Sequence, residues 1–144
     1  MSGWLLDTNV LSELRRKRPT PAVMDFVAAQ PLHDLHVGTV TSAEIRYGIE
    51  LLDDAKRRAT LIQWLEHRLR PLFEGRILPL CEDTLLHWRL IIESGRKRGH
   101  TFSHPHVLIA ASAARHGLIA VGRDRDDFEA AGVVVFNPWR HSAF

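Results

Sequence analysis

The chain has 144 residues, 45% hydrophobic and 25% charged, and this composition excludes a disordered or fibrous protein. We expect one compact domain over residues 1–144, and the net charge of +2 excludes a strongly basic field over the whole molecule. The single Cys81 excludes an internal disulfide, and we expect it to be a small buried hydrophobic residue. The apolar start of the chain is interrupted by Asp7, too early for a signal peptide, and no apolar run approaches the roughly 20 residues of a membrane span. We therefore expect a cytoplasmic protein.

Strands and helices are predicted to alternate along the chain. An apolar run that stops at Leu6 predicts the first strand, and further strands are predicted over 35–40, 76–80, 118–121 and 133–136. Helical spacing predicts helices over 10–16, from Pro21 onward, and over 41–52, 55–73, 83–98, 105–116 and 126–131. This alternation predicts an α/β fold with a parallel sheet.

Three carboxylates are predicted to meet at one edge of that sheet. Asp7 directly follows the first strand, Asp124 follows the strand over 118–121, and Glu44 lies in the first turn of the helix after 35–40. Right-handed crossovers place the carboxyl ends of parallel strands on the same side of a sheet. Because like charges at close range resist ionising together, a divalent cation best explains such a cluster, and oxygen ligands without cysteine indicate Mg²⁺ or Mn²⁺.

Each of these acids also has a local explanation as a helix cap. Asp7 or Asn9 could cap the helix that follows, and Thr41-x-x-Glu44 fits a capping box. Asp124 could be a turn residue, and Asp127 could cap the short helix before Gly132. Independent caps have no reason to share one edge of a sheet, so their joint occurrence favours a site.

Five segments of the sequence carry a resemblance to a known family. They are LLDTNVLSEL (5–14), TSAEIRYGI (41–49), GRILP (75–79), LIAA (108–111), and GRD (122–124) with DF (127–128) and NPW (137–139). In this order, over essentially the whole chain, they resemble the PIN-domain ribonucleases, in particular the VapC/FitB-like toxins of bacterial toxin–antitoxin pairs.

The resemblance implies a fold, an activity and a set of site residues. The implied fold is a three-layer α/β/α domain with a five-stranded parallel sheet, and the implied activity is endonucleolytic cleavage of single-stranded RNA, supported by Mg²⁺ or Mn²⁺. The chemistry would be in-line hydrolysis of a phosphodiester by water that the metal activates. On this interpretation the metal ligands are Asp7, Glu44 and Asp124, and the supporting residues are Thr8, Asn9, Thr41 and Asp127.

The resemblance also implies partners. A cognate antitoxin would lay its C-terminal segment across the helices and place a basic side chain in the acidic pocket, and family members are commonly homodimers. Leu61, Trp64 and Leu65 are candidates for the antitoxin groove, although a helical apolar stripe is more often plain core. The basic run over 15–18 either complements the dipole of the first helix or forms an RNA-facing rim.

His106 departs from the family pattern, in which an Asp follows the proline. It is either an engineered loss of function, a natural ligand or general base that favours Mn²⁺, or a tolerated exposed histidine. We count it among the catalytic candidates, and we expect weak Mg²⁺-supported cleavage that recovers on His106→Asp. We expect His100 and His104 to be solvated. The alternative functions are a PIN domain that binds RNA or antitoxin without efficient cleavage, and a different Mg²⁺-dependent phosphohydrolase.

Overall fold

The structure, a computed structural model, describes residues 3–140 and contains one five-stranded sheet. The strands are β1 (Trp4–Leu6), β2 (Leu35–Gly38), β3 (Ile77–Leu78), β4 (Ile119–Val121) and β5 (Val135–Phe136). Their order is β3-β2-β1-β4-β5, and every neighbouring pair is parallel. The predicted five-stranded parallel sheet is confirmed, with β1 at its centre.

The helices agree with the sequence prediction to within a few residues. They are α1 (Thr8–Leu14), α2 (Pro21–Ala29), α3 (Thr39–Glu50), α4 (Ala55–Trp64), α5 (Arg70–Leu72), α6 (Glu82–Lys97), α7 (His104–His116) and α8 (Arg125–Ala130). The helix predicted over 55–73 is interrupted by a π-helical turn, Leu65–Leu69. A 3₁₀ turn before β2, Leu32–Asp34, was not predicted.

The sheet lies between two hydrophobic layers because successive side chains of a strand point to opposite faces. Leu6 belongs to a core formed with α1, α2 and the π-helical turn, which includes Val10 and Val23. Leu5 belongs to the opposite core, where Ile109 of α7 and Phe128 of α8 are almost fully buried. Helices cover both faces, which confirms the predicted three layers.

Three details of packing differ from the sequence prediction or refine it. Leu65 is only 2% exposed and lies in the core, so it is not available to a groove. Leu61 and Trp64 are partly buried against that core. The prediction that Cys81 is buried is wrong: it is exposed at the N-cap of α6, with its Sγ 3.4 Å from Thr84 Oγ1, because the start of α6 faces solvent.

Over residues 3–140, none of the helices combines the length and the apolar character needed to cross a membrane.

Candidate active site

Asp7 stands at the carboxyl edge of the central strand. Its backbone N–H donates to Val121 O over 2.8 Å, which ties the end of β1 to the end of β4. Its Oδ1 accepts a hydrogen bond from the Thr8 N–H over 2.7 Å, so the capping interpretation is correct for one of its oxygens. The side chain is buried, and its Oδ2 has no hydrogen-bond partner within the described part of the chain. A buried polar atom without a partner is rare and indicates a place for a ligand.

Gly122 leaves the room that the Asp7 carboxylate occupies. A Cβ atom at this position would lie 3.0 Å from both Cβ and Oδ2 of Asp7, closer than side chains normally pack. Gly122 was predicted only as part of a motif and not as a contact of Asp7, although a glycine directly after a buried strand is the signal for a close approach.

Glu44 and Thr41 do not form the capping box that their spacing allowed. Helix α3 begins at Thr39 with Gly38 as its N-cap, two residues earlier than predicted. Thr41 is therefore inside the helix, fully buried, and its Oγ1 has no partner in residues 3–140. Glu44 lies one turn further on and faces the cleft described below. The local explanation for this pair is wrong because β-branched Thr39 and Val40 were assigned to the strand.

His106 lies between the acidic side chains. Its Nε2 is 3.5 Å from Asp7 Oδ2 and 3.5 Å from Asp124 Oδ2, and its side chain is 18% exposed. Its Nδ1 lies 3.2 Å from Asp127 Oδ2 and 3.0 Å from Ser103 Oγ. The interpretation of His106 as a tolerated exposed histidine is therefore wrong.

Asp127 holds His106 and does not cap α8. Its Oδ2 accepts from the Ser103 N–H over 3.2 Å, and its Oδ1 lies 2.9 Å from His100 Nε2. Burial acts to raise the pKa of Asp127, but the hydrogen bonds from His100, Ser103 and His106 outweigh it and lower the pKa. The prediction that His100 is solvated is wrong, whereas His104 is exposed as expected. Asp127 is thus a positioning residue for the imidazole.

Asp124 and Glu44 both act electrostatically on Asp7. Burial raises the pKa of Asp7, the Coulombic influence of His106 and the Thr8 N–H lower it, and the charges of Asp124 and Glu44 raise it further. The net shift is upward from 3.8, so the site resists the ionised form of Asp7. Asp124 occupies the N-cap position of α8 without making a capping hydrogen bond, and its side chain is 66% exposed.

Asp7, Glu44 and His106 line a cleft of about 500 Å³, together with Thr8 and Asn9. Several of its wall residues were not predicted from the sequence, namely Ser12, Glu13, Ser103 and Arg123, whereas Arg16 belongs to the basic run over 15–18, for which an RNA-facing rim was one interpretation. Only the helical spacing of α1 could have indicated Ser12 and Glu13, because residues 9, 12, 13 and 16 share one helix face.

The donor atoms of the cleft suit a hard divalent cation, but their present arrangement does not enclose one. Buried oxygens without hydrogen-bond partners in the described chain include three on residues that line the cleft, Asp7 Oδ2, Thr8 Oγ1 and Asn9 Oδ1, and also Thr41 Oγ1, which is not among the lining residues. Oxygen atoms are the ligands that Mg²⁺ prefers. Over residues 3–140, no group of three or more His, Cys, Asp or Glu side chains is arranged to hold a metal ion. The imidazole of His106 stands between Asp7 and Asp124, where a cation would have to lie.

Comparison with known proteins identifies the family. The model of the PIN domain matches residues 4–134. This chain belongs to the PIN-domain family. This PIN domain is 38% identical to the toxin FitB of Neisseria gonorrhoeae over 135 residues, which make up 94% of this chain and 97% of that protein. It is 35% identical to the VapC ribonuclease Y4jK of Sinorhizobium fredii, over 94% of this chain and 96% of that one.

The solved structure of FitAcB from Neisseria gonorrhoeae has the same architecture as this PIN domain. The two chains superpose with a TM-score of 0.91 at 38% identity, over 96% of this chain and 99% of the other. The likeness therefore includes the sheet edge and the helices that surround the cleft.

Proposed function

We propose that this chain is the toxin of a toxin–antitoxin pair and that it acts as an endonuclease on single-stranded RNA. Support comes from the two relatives, one named a toxin and the other a VapC ribonuclease, each matched over nearly its whole length. The observation that carries the proposal is Asp7 Oδ2, a buried carboxylate oxygen without a hydrogen-bond partner in the described chain, with the His106 imidazole 3.5 Å away. It faces Asp124 across His106 and feels the charge of Glu44.

The proposal includes a divalent metal ion, Mg²⁺ or Mn²⁺, as PIN-domain nucleases generally use. Asp7, Glu44 and Asp124 would hold it, supported by Thr8, Asn9 and Thr41. When bound, such an ion activates water and neutralises the charge that develops on the phosphate. The protein's own contribution is to fix Asp7 through the Thr8 N–H and the backbone of β4, so that its free oxygen faces the substrate.

His106 is expected to weaken this activity, because its imidazole lies where the cation would bind between Asp7 and Asp124. Asp127 and Ser103 hold the ring in that position. The same observation favours the second candidate function, a PIN domain that binds RNA or antitoxin without efficient cleavage.

One experiment separates the two candidates. End-labelled single-stranded RNA is incubated with the protein in EDTA and then with increasing Mg²⁺ or Mn²⁺, and D7A is run in parallel. We expect metal-dependent cleavage that D7A abolishes. RNA binding without cleavage at any metal concentration would support the second candidate instead.

The toxin role needs a test in cells. Expression in a bacterial host should arrest growth, D7A should not, and co-expression of the cognate antitoxin should restore growth. The antitoxin is expected to place a basic side chain in the cleft. The homodimer that the resemblance implies stays a prediction, which light scattering can test. Growth that continues at high expression would contradict the role as a toxin.

A further inference from the structure

A second depression continues the acidic cleft. It has a volume of about 290 Å³ and shares Thr8, Ser12, Arg16 and Glu44 with the cleft. From this common wall it runs between α1, α3 and α4 and reaches Arg15, Arg57 and Trp64. We call it the arginine groove.

Two guanidinium groups in the arginine groove lie close together. The Arg15 guanidinium carbon sits 4.7 Å from the centroid of the Trp64 ring. Burial lowers the pKa of Arg15, and the positive charge of Arg57 lowers it further. Neither arginine forms an ion pair with a carboxylate of residues 3–140, whereas nearby Arg16 is paired with Glu13 over 3.3 Å. The groove therefore holds two positive charges that repel each other and have no carboxylate partner in the described structure.

The cleft itself contains a similar arginine. Arg123 lines it, and its guanidinium carbon lies 4.6 Å from the centroid of the Trp139 ring. It too forms no ion pair with a carboxylate in the part of the chain that the structure describes. A guanidinium resting on an indole ring loses side-chain freedom before any ligand binds, so less entropy remains to be lost on binding. Arg15 and Arg123 are thus oriented in advance for an anion.

Phosphate is the anion that this arrangement fits best. The planar fork of a guanidinium matches two phosphate oxygens, and a polynucleotide brings one negative charge with every nucleotide. Several separate anions are needed to neutralise arginines both in the groove and in the cleft. An RNA strand that enters the acidic cleft would carry them on each side of the bond to be cut.

We propose that Arg15, Arg57 and Arg123 bind phosphate groups of the single-stranded RNA whose scissile bond lies at Asp7. This inference rests on the proposed function, because it specifies how the substrate of that site is held. The three are binding residues for the backbone of the strand, and they contribute affinity without base specificity.

Binding of a fluorescent oligouridylate of about 12 nucleotides tests this inference directly. The anisotropy titration is run in EDTA, so that no cleavage occurs, at several salt concentrations. The variants are R15Q, R57Q and R123Q, and the matched control is R89Q. Arg89 also lies over a tryptophan, Trp88, at 5.7 Å, but it lies on α6 and lines neither depression.

We expect each of the three variants to bind about tenfold more weakly, as for the loss of one charge-assisted contact. A plot of the logarithm of the association constant against the logarithm of the salt concentration has a negative slope, and its magnitude should decrease by about 0.7 for each lost phosphate contact. R89Q should match the wild type in affinity and in slope. Arg57 and Arg123 are exposed, so R57Q and R123Q should keep the wild-type thermal midpoint and leave no doubt about folding. R57K should retain most of the salt slope.

Two results would overturn the inference. One is R15Q, R57Q and R123Q with wild-type affinity and salt slope, or R89Q weakened as much as they are. The other is a set of variants that no longer bind the antitoxin but bind RNA as the wild type does. That result would assign the arginine groove to an acidic peptide.

The outcomes also separate this inference from the proposed function. RNA binding that depends on the three arginines, without any cleavage, would contradict the nuclease activity and support the phosphate contacts. Wild-type cleavage and binding by all three variants would support the nuclease activity and contradict the phosphate contacts.

Discussion

Asp7 and Glu13 are two buried carboxylates that line the same cleft and have opposite environments. They are 2% and 3% exposed. Glu13 Oε2 accepts hydrogen bonds from the Thr20 N–H over 2.7 Å and from the Thr20 hydroxyl over 2.8 Å, and Arg16 adds an ion pair. These contacts, the Thr20 N–H first, lower the pKa of Glu13, whereas burial raises the pKa of Asp7.

The comparison shows that burial alone does not mark a functional acid. Glu13 has its charge satisfied by residues a few positions along the chain, and it fixes the end of α1 to the start of α2. Asp7 Oδ2 lacks a hydrogen-bond partner in the described chain and lies 3.5 Å from the His106 imidazole, at a cost in stability that functional sites commonly carry. The buried oxygen without a hydrogen bond is therefore the feature that separates the candidate active-site acid from the structural one.

H106D is expected to produce the largest gain in activity among the variants of this cleft. It removes the imidazole from between Asp7 and Asp124 and supplies a fourth carboxylate, so Mg²⁺-supported RNA cleavage should rise about tenfold. The matched control is H106N, which has the same shape without the charge and should not show this gain. Equal initial rates for the wild type and H106D would mean that His106 has no bearing on the chemistry.

A smaller effect is expected from E13Q, on stability. The amide loses the ion pair with Arg16 and one charge-assisted acceptor for Thr20. The free energy of unfolding, measured in urea, should therefore fall by about 1 kcal/mol. Because the pKa of Glu13 is lowered from 4.5, this contribution is fully present above that pH and is lost as the pH falls through the lowered value. A difference from wild type that persists unchanged at pH 3 would contradict this account of Glu13.

D7N should change the stability of the fold in the opposite direction to E13Q, and this is the smallest effect expected. Removing a buried negative charge while keeping an oxygen for the Thr8 N–H should stabilise the fold at pH 7, by up to about 1 kcal/mol. Since the pKa of Asp7 is raised from 3.8, the penalty exists above the raised value and disappears as the pH falls below it. Thermal midpoints of D7N and wild type should therefore converge in acid. A destabilised D7N at pH 7 would show that Asp7 is a structural residue like Glu13.

The sequence predicts the architecture well because hydrophobic periodicity records which faces are buried. The alternation of strands and helices along the chain was enough to predict the parallel sheet, which the structure confirms. The rule for parallel crossovers then predicted that Asp7, Glu44 and Asp124 lie at one edge. Element ends were less predictable, as at Gly38, where β-branched residues that favour strands begin a helix.

The contacts that define the site could not be predicted from the sequence because they depend on tertiary geometry. His106 was recognised as a departure, but nothing in the spacing indicated that Asp127 and Ser103 hold its ring, or that His100 holds Asp127. The partners of Glu13 lie across a turn whose path is not encoded in periodicity. Neither pattern nor composition could distinguish the satisfied acid from the unsatisfied one.

Cleavage of single-stranded RNA by D7N and E13Q, measured side by side in Mn²⁺, distinguishes a functional role of Asp7 from a structural one. D7N is expected to lose activity by roughly a hundredfold or more, because on the proposed function Asp7 Oδ2 would face the reacting phosphate. E13Q, once corrected for the fraction folded, is expected to cut at close to the wild-type rate. Equal activity of D7N and wild type, or equal loss in both variants, would contradict the functional role of Asp7.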